Sequence, residues 1–225
     1  MAQTGFGLLE ILALVAILLP LIPVFIIFST KAYKQDTLAL LMVLCLVSFI
    51  QNLILYIPGF VPLDILFIRG SFQLINYILL MMMMKLIVKG RLVREAMKIL
   101  LVSFVSIVIT IYCIKGTTTN LWNIEMIQAL VLIVITLVAL FQLIRSQDIF
   151  IFLSPLFWIT AGTFFYYSML LLTESIPDYK HVPVDTPFQQ KKALLMVMIL
   201  IQFIFYSIAA AVAGDKNKEQ RITQD

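Results

Sequence analysis

Seven long apolar stretches separated by short polar breaks account for almost the whole of this 225-residue chain. Each stretch is continuously apolar, whereas barrel strands alternate at every second position over about 10 residues, so the pattern predicts helices. A spanning helix needs roughly 20 apolar residues, and by that measure the spans fall near 6–29, 37–57, 64–88, 93–115, 121–144, 149–173 and 190–213. The expected fold class is all-α: a polytopic membrane protein made of one seven-transmembrane-helix bundle over 1–213. A short charged tail at 214–225 is expected to be cytoplasmic and either disordered or held by a partner. The first stretch is expected to stay in the mature protein: it is too long for a signal peptide, no basic region precedes it and no small-residue cleavage site follows it.

Composition agrees with lipid as the solvent. Hydrophobic residues make up 62% and charged residues 12% of the chain, with a mean hydropathy of +1.06, too little polar surface to cover a water-soluble globule. The loops add direction. Lys31, Lys34, Lys85, Lys89, Arg91, Arg94, Lys98, Arg145, Lys216, Lys218 and Arg221 fall on one side of the alternating spans, and only Lys115, Lys180, Lys191 and Lys192 on the other. The positive-inside rule therefore predicts an N-terminus outside and a C-terminus in the cytoplasm. The net charge of +4 then reads as a topology signal, and no nucleic-acid partner is implied.

Familiar chemistries are absent from the pattern. His181, the single histidine, falls in an outer loop, so no Ser/His pair is expected at membrane depth. Asp178, His181 and Asp185 share that loop, but hydrophilic residues among the prolines of 174–189 are expected to face solvent over the outer mouth. No lysine lies near the middle of the last span, as a retinal protein would require, and there is no phosphate loop, HExxH or paired-cysteine zinc signature. The expectation is a protein that is not an enzyme and carries no cofactor or metal. Cys45 and Cys113 lie at different depths, too far apart for a disulfide, and both are expected to be packed inside. Met81, Met82, Met83 and Met84 point around a full helical turn, which suits packing rather than one metal.

Polar residues within the spans carry the functional information, because they are costly in lipid and turn towards the bundle interior or water. Arg69, Gln73 and Asn76 follow at i, i+4 and i+7 and share one face of the third span. Glu125 and Gln128 on the fifth span reach a similar depth, so an Arg69–Glu125 ion pair is expected. Gln51 and Asn52, Thr163, Tyr166 and Tyr167, and Gln202 with Tyr206 somewhat deeper, come to the same outer half; Glu10 adds a carboxylate near the outer end of the first span. Two readings follow. Arg69, Gln73, Asn76, Glu125, Gln128, Gln51, Asn52, Tyr166, Tyr167 and Gln202 can line a solvated ligand pocket, or they can be hydrogen-bonding glue between helices that have no hydrophobic drive to associate.

The string Ser154-Pro155-Leu156-Phe157-Trp158-Ile159, continuing through Gly162 to Tyr166-Tyr167-Ser168, is the most distinctive in the chain. Pro155 suits a helix start, Gly162 permits close helix contact, and Trp158 is expected to lie deeper than an interfacial anchor. With Asn123, Gln128 and Phe141-Gln142-Leu143, and more weakly Gln73, Asn76 and Tyr77, the string resembles a family of uncharacterised seven-helix bacterial inner-membrane proteins, several of them encoded beside sensor histidine kinases. The resemblance implies multi-pass residence in the bacterial inner (plasma) membrane and a signalling context, and it lends no residue a role. A receptor-like sensory or regulatory subunit, acting through a sensor histidine kinase or another membrane protein on binding a small-molecule ligand, is the first expectation. A small-solute transporter or channel and a passive scaffold are the alternatives. The basic loops from Lys85 to Lys98 would dock a partner or only set topology. Spans 1–3 and 5–7 share no motif of the kind built into inverted-repeat carriers, and the polar residues thin out towards the cytoplasmic half, which favours sensing over conduction.

Overall fold

The computed structural model describes residues 7–56, 65–116, 122–146, 151–175 and 186–222, and none of these lies in a strand. Seven helical segments are long and apolar enough to cross a membrane. Large apolar side chains such as Phe25, Leu92, Ile99, Ile114 and Phe141 stand on the outer surface, far more than a water-soluble globule exposes contiguously. The chain is an all-helical, multi-pass membrane protein.

The first stretch is two helices rather than the expected one: α1 (Leu8–Leu18) and α2 (Leu21–Ser29). Pro20 has no N–H to give the Ala16 carbonyl four residues back, and Pro23 has none for Leu19. Leu19 is met instead by the amide of Ile22 at 3.1 Å. Ala16 is met by a side chain from another helix, the Asn52 amide, at 3.2 Å. Pro20 keeps helical angles (φ −58, ψ −22), so the break costs little direction and the pair still spans as one unit.

At the end of α2 the chain turns through Lys31, which holds left-handed angles at φ 56, into a short 3-10 turn at Ala32–Lys34. The following helices are α3 (Asp36–Tyr56), α4 (Ile65–Ile87), α5 (Arg91–Lys115) and α6 (Trp122–Ser146). Asp36 in the first turn of α3 complements the helix dipole. Gly116 ends α5 at φ 80, a conformation that side-chain-bearing residues rarely adopt.

A 3-10 turn at Ile151–Leu153 leads into α7 (Pro155–Ser175), with Pro155 at the first helical position as expected. Trp158 is shallower than expected. It lies in the first turn of α7, where its indole N–H donates to the Phe152 carbonyl at 2.7 Å and its ring packs on Phe157 and Phe205. The expectation counted depth from 149, but the helix begins at Pro155.

The last helix, α8 (Thr186–Ile222), runs through the expected tail without a break. Gly214 does not terminate it. A Cβ there would lie 2.5 Å from Thr30 Cγ2, so this glycine admits the end of α2 against α8. Gly162 plays the expected role on α7, where a Cβ would meet the Phe205 Cβ at 2.7 Å.

Neighbouring helices form a ring in the order α3, α4, α6, α7, α8, with α1 and α2 wedged between α8 and α3. α5 leans on α4 from outside, through the Tyr77–Phe104 and Phe67–Tyr112 ring pairs. Its peripheral place overturns one cysteine expectation: Cys113 is exposed on its outer surface, whereas Cys45 on α3 is fully buried. Of the four methionines, Met81, Met83 and Met84 are buried and Met82 points outward, as consecutive helical positions must.

Candidate functional site

Five of the ring helices enclose a cavity of about 380 Å³ near the end of the bundle where α3 finishes and α4, α6 and α8 begin. All ten residues singled out from their spacing line it: Gln51 and Asn52 from α3, Arg69, Gln73 and Asn76 from α4, Glu125 and Gln128 from α6, Tyr166 and Tyr167 from α7, and Gln202 from α8. The i, i+4, i+7 stripe on α4 converges with the others because lipid is a poor solvent for each of these groups and the ring has only one interior.

Arg69 sits at the rim. Its side chain is 49% exposed, and its Nη2 donates to Glu125 Oε2 at 3.1 Å, joining α4 to α6. The Glu125 side chain is far more enclosed, at 11%. A partly wet pair of this kind contributes modestly to stability. These two are the charged groups among the described lining residues, and together they carry no net formal charge.

Below the rim, amides and tyrosines share the wall with apolar side chains. Asn76 Nδ2 donates to Gln51 Oε1 at 2.7 Å, linking α4 to α3. Gln202 Nε2 donates to the Tyr206 hydroxyl at 2.9 Å, and that hydroxyl shares a 2.9 Å bond with Thr163, which ties α8 to α7. Gln128 is almost completely buried and faces the same space as Tyr167. Tyr166 and Tyr167 meet edge to face, ring centres 5.0 Å apart. Gln73 makes no hydrogen bond to another described residue, and the Oδ1 of Asn76 is buried without a described partner.

The choice between pocket and glue thus divides residue by residue. Asn52, bonded to the Ala16 carbonyl, and the Asn76–Gln51 and Thr163–Tyr206 pairs hold helices together. Gln73 bonds no other described residue, yet it faces the same space. A void lined this way is expected to hold water or a ligand, since unmet amides in a dry cavity would cost several kcal/mol.

The opposite half of the interior is different in kind. Beyond Tyr206 the buried positions include Leu41, Met84, Leu132, Ala139, Ala209, Ala210 and Ala213. Thr136 there turns its hydroxyl back onto the Leu132 carbonyl at 2.7 Å and offers nothing to a solute.

Reasoning from polar spacing missed the apolar part of the lining: Leu44, Leu80, Leu170, Leu195, Ile199 and Phe203, together with Ser48. A signal for them existed. Ser48 precedes Gln51 by three positions, Leu80 follows Asn76 by four, Leu170 follows Tyr167 by three and Ile199 precedes Gln202 by three, so each continues an already visible face. The Glu10 side chain, Asp178, His181 and Asp185 lie outside the described residues. Among the described residues no group of three or more His, Cys, Asp or Glu side chains is placed to hold a metal.

Comparison with known proteins returns no matching family model, no matching curated protein and no matching solved structure.

Proposed function

We propose that this protein is a sensory or regulatory subunit of a bacterial inner (plasma) membrane that receives a small molecule in the cavity and passes the event to a partner, a sensor histidine kinase being the first candidate. The observation that carries the reading is a 380 Å³ cavity, lined by carboxamides, tyrosines and an ion pair among apolar side chains, that ends above an apolar, closely packed floor. A volume of this size falls at the lower end of what small-molecule sites occupy. The basic residues between α2 and α3, between α4 and α5, and at the end of α6 favour the opposite end of the bundle as the cytoplasmic one. The cavity then opens outward and both the basic loops and the end of α8 face the cytoplasm, where a partner would read them. A transporter would need a polar route past Leu41, Met84 and Ala210, all of them packed.

Labelling of single cysteines in intact cells tests the reading. In a Cys113→Ala chain, Gln73→Cys should react with a membrane-impermeant maleimide added outside, and Met84→Cys should not. Reaction of Gln73→Cys only in inverted vesicles would refute the orientation, and no reaction in either preparation would refute the aqueous cavity. Isolation of the tagged chain from native membranes under mild detergent should bring down a kinase or another membrane protein in fixed ratio; recovery of the chain alone speaks for a self-contained function.

A further inference from the structure

The cavity carries a statement about ligand class, which rests on the pocket reading above. Within the windows that cross the membrane the chain has seven carboxamide side chains, and six of them, Gln51, Asn52, Gln73, Asn76, Gln128 and Gln202, line this one space. The seventh, Gln142, lies near the other end, accepting from the Lys89 amide at 3.1 Å. Helix association alone would spread such residues along the interfaces, as Gln142 shows.

We infer that the cavity takes an uncharged polyhydroxylated molecule, a sugar or polyol, held by this set of carboxamides. A carboxamide offers two donor hydrogens and an acceptor oxygen with two lone pairs. The bonds described above engage only one polar atom each of Gln51, Asn52, Asn76 and Gln202, so most of their capacity is left for the contents of the cavity. A hydroxyl donates and accepts at once, and vicinal hydroxyls match the fork of an amide. Asn76 sharpens the point. Whichever way its amide is oriented, one buried polar atom faces no partner among the described residues, and a hydroxyl satisfies either atom, which a purely donating or purely accepting ligand cannot do.

Charge argues in the same direction. Among the described residues the lining contains one guanidinium and one carboxylate, already joined at 3.1 Å. An anionic ligand would compete with Glu125, the more enclosed partner, for Arg69 and add an unbalanced negative charge beside it; a cationic ligand would do the reverse. A neutral ligand leaves the pair intact at the rim. Leu170, Leu195 and the rings of Tyr166 and Tyr167 supply the apolar surface on which the C–H faces of a sugar pack.

The full chain in lipid nanodiscs provides the test. Thermal unfolding and equilibrium binding are followed with glucose, trehalose, myo-inositol and glycerol, against gluconate, glucosamine and glycine betaine. At least one neutral compound should raise the unfolding temperature saturably. Gln73→Leu should weaken its apparent Kd at least tenfold, with Gln73→Ala in reserve if the leucine variant fails to insert. The paired Arg69→Gln, Glu125→Gln variant should change it less than about fivefold, because hydrogen-bonding shape survives while charge is lost. Binding confined to the charged or zwitterionic compounds, or abolished by the paired variant, would overturn the class. So would binding by no compound in the panel while Gln73→Cys remains open to aqueous maleimide, a result that keeps the cavity and rejects its occupant. Loss of maleimide access removes the pocket reading itself, so the two failures are distinguishable.

Discussion

The bond from Asn52 to the Ala16 carbonyl can be tested to the level of a single backbone group. Pro20 deprives that carbonyl of its helical donor, and the Asn52 amide, buried to 8% exposure, replaces it at 3.2 Å. Asn52→Leu removes the replacement while keeping the volume. An unmet buried carbonyl costs about 1–3 kcal/mol in soluble proteins, whereas interhelical hydrogen bonds in a membrane average about 0.6 kcal/mol and reach about 1.7. The carbonyl here has lost its intrahelical partner as well, so the upper part of the membrane range applies and a loss of about 1–1.5 kcal/mol is expected. Pro20→Ala supplies the control. Pro20 already holds helical angles, so an alanine at that position can donate to Ala16 without rearrangement. In the Pro20→Ala background, Asn52→Leu should therefore cost less than about 0.5 kcal/mol, giving a coupling of roughly 1 kcal/mol in a double-mutant cycle. Reversible unfolding in mixed micelles, followed by tryptophan fluorescence, measures all four chains. Costs that add within about 0.3 kcal/mol would show that Asn52 and Pro20 do not act on a common group, and the account of the α1/α2 break would fail.

Three further perturbations read other parts of the fold. Gly162→Ala places a methyl 2.7 Å from Phe205 Cβ and should destabilise by about 1–3 kcal/mol in the same unfolding assay; an unchanged midpoint would mean that α7 and α8 do not meet so closely. Lys31→Gly relieves a left-handed residue at φ 56 and should stabilise by about 1 kcal/mol, with a fall in stability counting against that turn. Arg69→Gln should cost less than about 1 kcal/mol of stability, since its side chain is half in the open and its ion pair partly wet; a loss of several kcal/mol would make the pair a keystone of the bundle rather than a rim feature.

The helices and the convergence of the ten polar residues were legible because both rest on rules that lipid enforces strictly: long apolar runs span, and polar groups turn inward. The Arg69–Glu125 pair followed from depth alone. What escaped detection depends on groups that spacing does not mark. The acceptor for Asn52 is a backbone carbonyl, freed by a proline thirty-two positions away, and every residue carries a carbonyl. The exposure of Cys113 was hidden because lipid-facing and core-facing positions of a peripheral helix such as α5 draw on the same apolar residues. The depth of Trp158 was misjudged because hydropathy counts the Ile151–Leu153 turn as part of the span. The run beyond Gly214 escaped because glycine commonly stops a helix, and here it serves as a slot for Thr30.

That slot has a mechanical consequence. α8 is gripped twice, where Phe205 seats over Gly162 and where Thr30 seats in Gly214, about 14 Å apart along the axis at 1.5 Å per residue. A rod held at two such notches resists sliding along its length, since either notch would have to ride over a full side chain. Turning about its own axis by a few degrees only rocks the contacts. Gln202 lies just on the cavity side of the first notch, and the helix continues to Ile222 past the second. Any message carried along α8 would thus be a twist rather than a piston stroke.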